Sequence, residues 1–263
     1  MTAVAPTLAE TFGGIPLIDN TFDSGRFLTA VASTRLYRAG RADELVAAAA
    51  EDRALLLEDA LDPERALAFR DLRPFPGDVY LLSEERAREA SGALTELAAL
   101  VPRWNILNEL SINFLGLRRP GVIGSSNFAF PQHIFLAEEA FASQTELLEQ
   151  VLHEVSHNWL YLVEEMWPLH RTTGDVVFEL PSGTSNRNPG EVLGASHVTR
   201  NLQALYHALP QTPETRQRLK DLEQYMNGCI ELLGHTEAHL TAFGREVANR
   251  LLSEDIPASS SRA

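Results

Sequence analysis

Between residues 144 and 164 the chain passes through Leu147, Leu148, Val151, Leu152, Val155, Trp159, Leu160, Leu162 and Val163, which leaves almost no face polar. A helix that is apolar nearly all round has to be wrapped by other elements, so this segment predicts a buried central helix. Ser143 stands three residues before Glu146, the pattern of a capping box at its head. Within the segment lies His153-Glu154-Val155-Ser156-His157. Residues four apart share a helix face, so both imidazoles reach one point, and Glu154, turned by about 100°, borders it. Two imidazoles and a carboxylate set into an apolar helix are costly without a partner, and a divalent metal ion is such a partner.

The remainder reads as mainly helical α+β, with a small sheet beside that helix. Residues 42–60, 63–71 and 83–100 carry helical patterns, the last with Ser83 as N-cap. The run at residues 74–77, Pro-Phe-Pro-Gly, breaks the pattern. Short strands are expected over residues 111–115 and 132–136, among Gly116, Pro120, Gly121, Gly124 and Pro131. After the central helix comes an irregular stretch, residues 167–190. Two helices then cover 191–209 and 213–252, the second bending near Gly228 and Gly234. The motif divides the chain into a helical N-terminal part, residues 1–105, and a metal-binding catalytic part, residues 106–255, which are equally compatible with one continuous domain. The N-terminal part carries no chemical motif and is read as a cap or a peptide-docking surface. A serine tail at 259–261 is expected to fray.

Charge and cysteine content narrow the function. With 36 Asp and Glu against 22 Lys and Arg, the net charge is −14, which opposes nucleic acid and anionic membranes as partners. The one cysteine, Cys229, excludes an internal disulfide and reads as a small core residue. The first 17 residues lack a signal-peptide pattern and no apolar run reaches 18 residues, so a cytoplasmic chain without a membrane span is expected.

Catalytic metal sites usually take three protein ligands. A metzincin continuation requires glycine and histidine where this chain has Leu160 and Val163. Glu179 is the candidate at gluzincin-like spacing, but lies in a strand or loop. Glu164 and Glu165 follow too soon on the same helix and read as its solvated end. His197, among small residues on the next helix, is the remaining candidate. His133 is expected near the site, while His235 and His239 form a second pair at i, i+4 that reads as a polar helix face. Arg118 and Arg119 read as a basic loop, and Trp104 and Trp167 as core.

The stretch 148–162, LEQVLHEVSHNWLYL, the loop Asn186-Arg187-Asn188-Pro189-Gly190-Glu191, the downstream His197 and the segment 240–244, LTAFG, together resemble the HExxH-type, 2-oxoglutarate-dependent peptide β-hydroxylases that modify ribosomally made peptides. The resemblance covers residues 121–252. In this chain Asn188 separates Arg187 from Pro189, where the family pattern has arginine and proline adjacent. The resemblance implies iron(II) held by His153, His157 and His197, with 2-oxoglutarate as cosubstrate and a precursor peptide as substrate. A dicarboxylate needs a cation for its far end, and Arg187, then Arg200, are the candidates. Glu154 would orient a ligand or touch substrate. The rival expectation is a zinc peptidase in which Glu154 is general base, with Tyr161, Tyr206 or His170 facing the oxyanion. A non-catalytic binding module is a third.

Overall fold

The computed structural model describes residues 6–70, 75–171, 174 and 176–253. Helices α1 (Leu8–Phe12), α2 (Ser24–Arg38), α3 (Ala42–Ala47), α4 (Ala50–Leu61) and α5 (Pro63–Ala68) precede strand β1 (Val79–Tyr80). Helix α6 (Glu84–Leu100) and a 3-10 helix (Pro102–Asn108) lead into β2 (Asn113–Leu117), β3 (Gly124–Ser125) and β4 (His133–Leu136). A second 3-10 helix (Glu138–Phe141) delivers the chain to α7 (Gln144–Met166). Then follow α8 (Pro189–Ala208), α9 (Pro213–Thr236), a short 3-10 turn (Glu237–His239) and α10 (Ala242–Leu252). The class is α+β and mainly helical.

The sheet has the order β1-β2-β4-β3, with β2 and β4 parallel and the outer pairs antiparallel. Every residue of β4 is buried, whereas β3 is a two-residue edge strand lying against α7. Helix α7 is the centre of the molecule. Val151, Leu152, Val155, Trp159 and Val163 have no measurable exposure, and Trp159 packs on Phe27 and Phe22 of the N-terminal part. Each such side chain contributes roughly 1.5–3 kcal/mol by leaving water. One buried cluster runs from Leu8 to Leu251, so the N-terminal and C-terminal stretches share a core.

Polar stitching reinforces it. Arg35 of α2, 1% exposed, grips Glu165 of α7 through Nε and Nη2, and its Nη1 donates to Gln132 Oε1 at 2.7 Å and Ala60 O at 2.9 Å. Gln132 holds a left-handed backbone (φ 60°), a strained position for a residue with a side chain. Its side chain donates to the carbonyls of Leu61 and Ser111, and its N–H donates to Asn158 Oδ1 of α7. The two described ends of the chain also meet: the Glu246 carboxylate of α10 accepts from the N–H groups of Leu8 and Ala9, and Arg250 pairs with Asp19 at 2.7 Å.

Several expectations are corrected. The 42–60 helix is broken at Ala48, whose backbone is extended; α3 buries no residue fully and packs only its half-buried Leu45 against the small Ala32–Leu36–Ala60 cluster. Asp71, Pro74 and the 259–261 tail lie outside the described residues. Helix α2 and the strands β1 and β3 were not expected. Helix α9 runs through Gly228 and Gly234, and the break falls instead at residues 237–241, where Thr241 caps α10. The Ser143 cap forms, but the Glu146 side chain accepts from Gln150 instead of returning to the cap. Glu165 is no solvated end: it is 4% exposed and held by Arg35 and Arg70. Cys229 and Trp104 are core residues, while Trp167 is half-buried and stacks on Phe243. Among the described residues no helix is long and apolar enough to cross a membrane.

Candidate metal centre

The two histidines of the motif emerge side by side from the open face of α7, their ring centroids 5.1 Å apart. His153 keeps 39% of its side-chain surface in solvent. His157 lies deeper, its ring against Gly194 of α8, where a Cβ would stand 3.2 Å from Nδ1. The missing side chain lets α8 cross close over α7 at this point. One turn on, Tyr161 stacks its ring nearly parallel to that of His157, 5.9 Å away. Burial, reinforced by the neighbouring His153, His197 and Arg187, holds His157 well below its ordinary proton affinity. Its imidazole is therefore neutral near pH 7, the form that offers a lone pair to a metal.

Glu154 is turned inward and is 4% exposed. Its Oε2 accepts from Ser126 Oγ at 2.6 Å, and Oε1 stands 3.9 Å from His153 Nε2. Burial raises its proton affinity, against the pull of His153 and Ser126. A carboxyl with a raised folded pKa holds a proton that the unfolded chain has released, so stability falls as pH rises above the ordinary value of 4.5. Glu154→Gln is accordingly expected to raise the melting temperature of the metal-free protein at about pH 7.5 and to change it little at about pH 4. Melting curves at the two pH values check this, and equal shifts at both would contradict the burial argument.

Arg187 lies close enough to His157 to lower its proton affinity. It is fixed by a two-bond bridge to Phe178, just before Asn188 caps α8. Its Nη1 donates to Glu191 Oε1 at 2.6 Å, while its buried Nε has no hydrogen-bond partner. Glu191 spends its other oxygen on the Asn188 N–H.

Most of the other candidates are engaged by partners of their own. His197 is wholly buried, its Nε2 donating to the Pro16 carbonyl at 2.9 Å; its buried Nδ1 has no hydrogen-bond partner, and the Ser156 carbonyl also lies close to the ring. Burial lowers its pKa to about 4, partly offset by those two carbonyls. It is a core histidine joining the N-terminal segment to α7 and α8, close enough to His157 to lower that imidazole's proton affinity but with its Nε2 engaged by Pro16. Arg200 is committed to the Leu251 carbonyl at the end of α10. His133 turns to the other side of the sheet, against Phe75, Asn113 and the Pro131 carbonyl. His239 falls in the 3-10 turn after α9, so it shares no α-helical face with His235. Glu179 is exposed and accepts from Ser185. His170 faces Glu164 at 3.6 Å and Tyr206 is bound to Glu149, whereas Tyr161 adjoins the pair. Arg119 pairs with Asp78, and Arg118 lies over Tyr80.

Among the described residues no three His, Cys, Asp or Glu side chains are gathered in a metal-holding arrangement. The donors present fit a divalent ion at two positions, His153 and His157, with Glu154 and Tyr161 at its border. Sequence reasoning missed the roles of Gly124, in a strand only two residues long, and of Ser126 just beyond it, because so short a strand carries no periodic pattern. No family model matches this chain, and no curated protein matches it.

Proposed function

We propose that the chain is an iron(II)- and 2-oxoglutarate-dependent hydroxylase that oxidises a side-chain carbon, the β-carbon, of a ribosomally made peptide. The observation that carries this reading is a guanidinium close to His157. Arg187 is rigidly based, oriented by Glu191 through one nitrogen, and left with a buried Nε that has nothing to donate to. Such a group suits the far carboxylate of a dicarboxylate bound at the pair, with charge-assisted hydrogen bonds. The resemblance of the motif region supports the same reading. When bound, iron and 2-oxoglutarate supply the oxidation: dioxygen places one oxygen atom on the substrate carbon and the other in succinate, with release of carbon dioxide.

The chain's own residues do the positioning. Neutral His157, with His153, offers imidazole lone pairs. Glu154, held by Ser126, faces the rim of the pair and orients what binds there. His197 and Arg200 remain assigned as third ligand and second clamp only through the resemblance, and His197 needs its ring released from Pro16 to serve.

A zinc peptidase is the second reading, favoured by one observation: the buried Glu154 carboxyl stands 3.9 Å from His153 Nε2 with a raised proton affinity, as a general base beside a metal-bound water requires. Anaerobic addition of iron(II) and 2-oxoglutarate separates the two. The hydroxylase is expected to show a weak charge-transfer band near roughly 500 nm that Arg187→Ala weakens or abolishes. Absence of the band, with zinc tightly retained, overturns the hydroxylase and makes Glu154 the base.

A further inference from the structure

Strand β3 closes one side of the sheet, and among the described residues no strand pairs with its outer edge. The Ala137 N–H donates to the Ile123 carbonyl at 2.8 Å, which makes Ile123 and Ala137 a hydrogen-bonded pair of the antiparallel ladder. Pairs alternate along such a ladder, so Gly124, opposite Leu136, turns its N–H and C=O outward. The strand face at Gly124 looks onto α7: a Cβ there would stand 3.0 Å from Glu154 Oε1 and 3.1 Å from Gln150 Oε1. A free donor and acceptor are thus held directly over the helix that carries the histidine pair.

A cavity of about 570 Å³ adjoins this edge and shares Ile123 and Gln150 with it. Ile123, Leu209 and Pro210 give it apolar walls, while Glu146, Glu149 and Glu214 set three carboxylates against the one guanidinium of Arg218. Arg218 and the Tyr206 hydroxyl are already bound to Glu149. The surplus is negative, with room for an aliphatic stem.

We propose that the outer edge of β3 receives the substrate peptide as an added strand, and that the adjoining cavity takes a lysine or arginine side chain of that peptide. The inference rests on the reading that this site acts on a peptide. A residue paired with Gly124 makes two backbone hydrogen bonds, and its side chain falls on the α7 face beside Glu154. The residue two positions along projects on the same face, roughly 7 Å away, where the cavity opens. A long basic side chain matches both the apolar walls and the carboxylate rim. The overall charge of −14 acts in the same direction.

The test uses fluorescein-labelled alanine heptapeptide amides carrying one central lysine, glutamate or norleucine, with binding followed by anisotropy on the full chain with and without zinc. The lysine probe is expected to bind at least about tenfold more tightly than the glutamate probe. The variant Glu146→Gln/Glu214→Gln is expected to narrow that preference. Backbone N-methylation two residues before or two residues after the lysine, whichever faces Gly124, is expected to weaken binding about tenfold. Equal affinity for lysine and glutamate, indifference to both N-methylations, or no binding up to about 1 mM each overturns the proposal. Zinc titrated into the same samples reports the histidine pair separately, so failed docking on an intact metal site is distinguishable from failure of the metal-centre reading.

Discussion

His157→Ala is expected to reduce divalent metal affinity by roughly 100-fold or more and to abolish one-to-one stoichiometry in titrations with cobalt(II) or zinc. The size follows from position. His157 is the deeper of the two imidazoles, already neutral near pH 7, and fixed between Gly194 and Tyr161. A ligand held in place and free of its proton costs little to recruit, so its loss removes most of the binding free energy. His153→Ala, on the more exposed neighbour, is expected to act in the same direction. His157→Gln serves as control, because it fills the space beside Gly194 and keeps the packing of α7 on α8. Unchanged stoichiometry in a folded His153→Gln/His157→Gln variant would end the metal-centre reading.

The second large effect concerns folding. Arg35→Ala leaves Glu165 buried with only Arg70, at 3.3 Å, for a cation, and strips Gln132 Oε1 of its donor. Breaking one partner of a buried ion pair costs about 3–5 kcal/mol, and the surviving Arg70 contact places this case toward the lower end. Urea unfolding gives the value. The pair replacement Arg35→Met/Glu165→Leu is expected to recover most of the loss, because it removes both charges together. A loss below about 1 kcal/mol for Arg35→Ala would show that the network contributes little.

How far the sequence revealed the molecule depends on how locally each feature is specified. Helix α7 was legible because its apolar residues cover every face, and the i, i+4 histidines are placed by the helix itself. Arg187 was found through a resemblance, and the structure sets it near His157 through a bridge to Phe178 that no periodicity announces. His197 shows the limit of helical spacing, which puts a residue on a face without saying what else that face meets. Here it meets the Pro16 carbonyl, 181 residues away in sequence. Glu165 reads as a solvated end for the same reason, and is in fact buried, since its partner Arg35 lies 130 residues upstream. Strand β3 is too short to carry a pattern at all, yet it supplies the edge above Glu154.

The meeting of the two described ends bears on the rate of folding. The N–H groups of Leu8 and Ala9 in α1 donate to Glu246, and Asp19 accepts from Arg250, both on the last described helix. These contacts join residues 238, 237 and 231 positions apart in sequence. The Pro16 carbonyl meets His197 across 181 positions. Loops of that length must close before such contacts reward them, so this core is expected to form more slowly than a helical bundle held by local contacts.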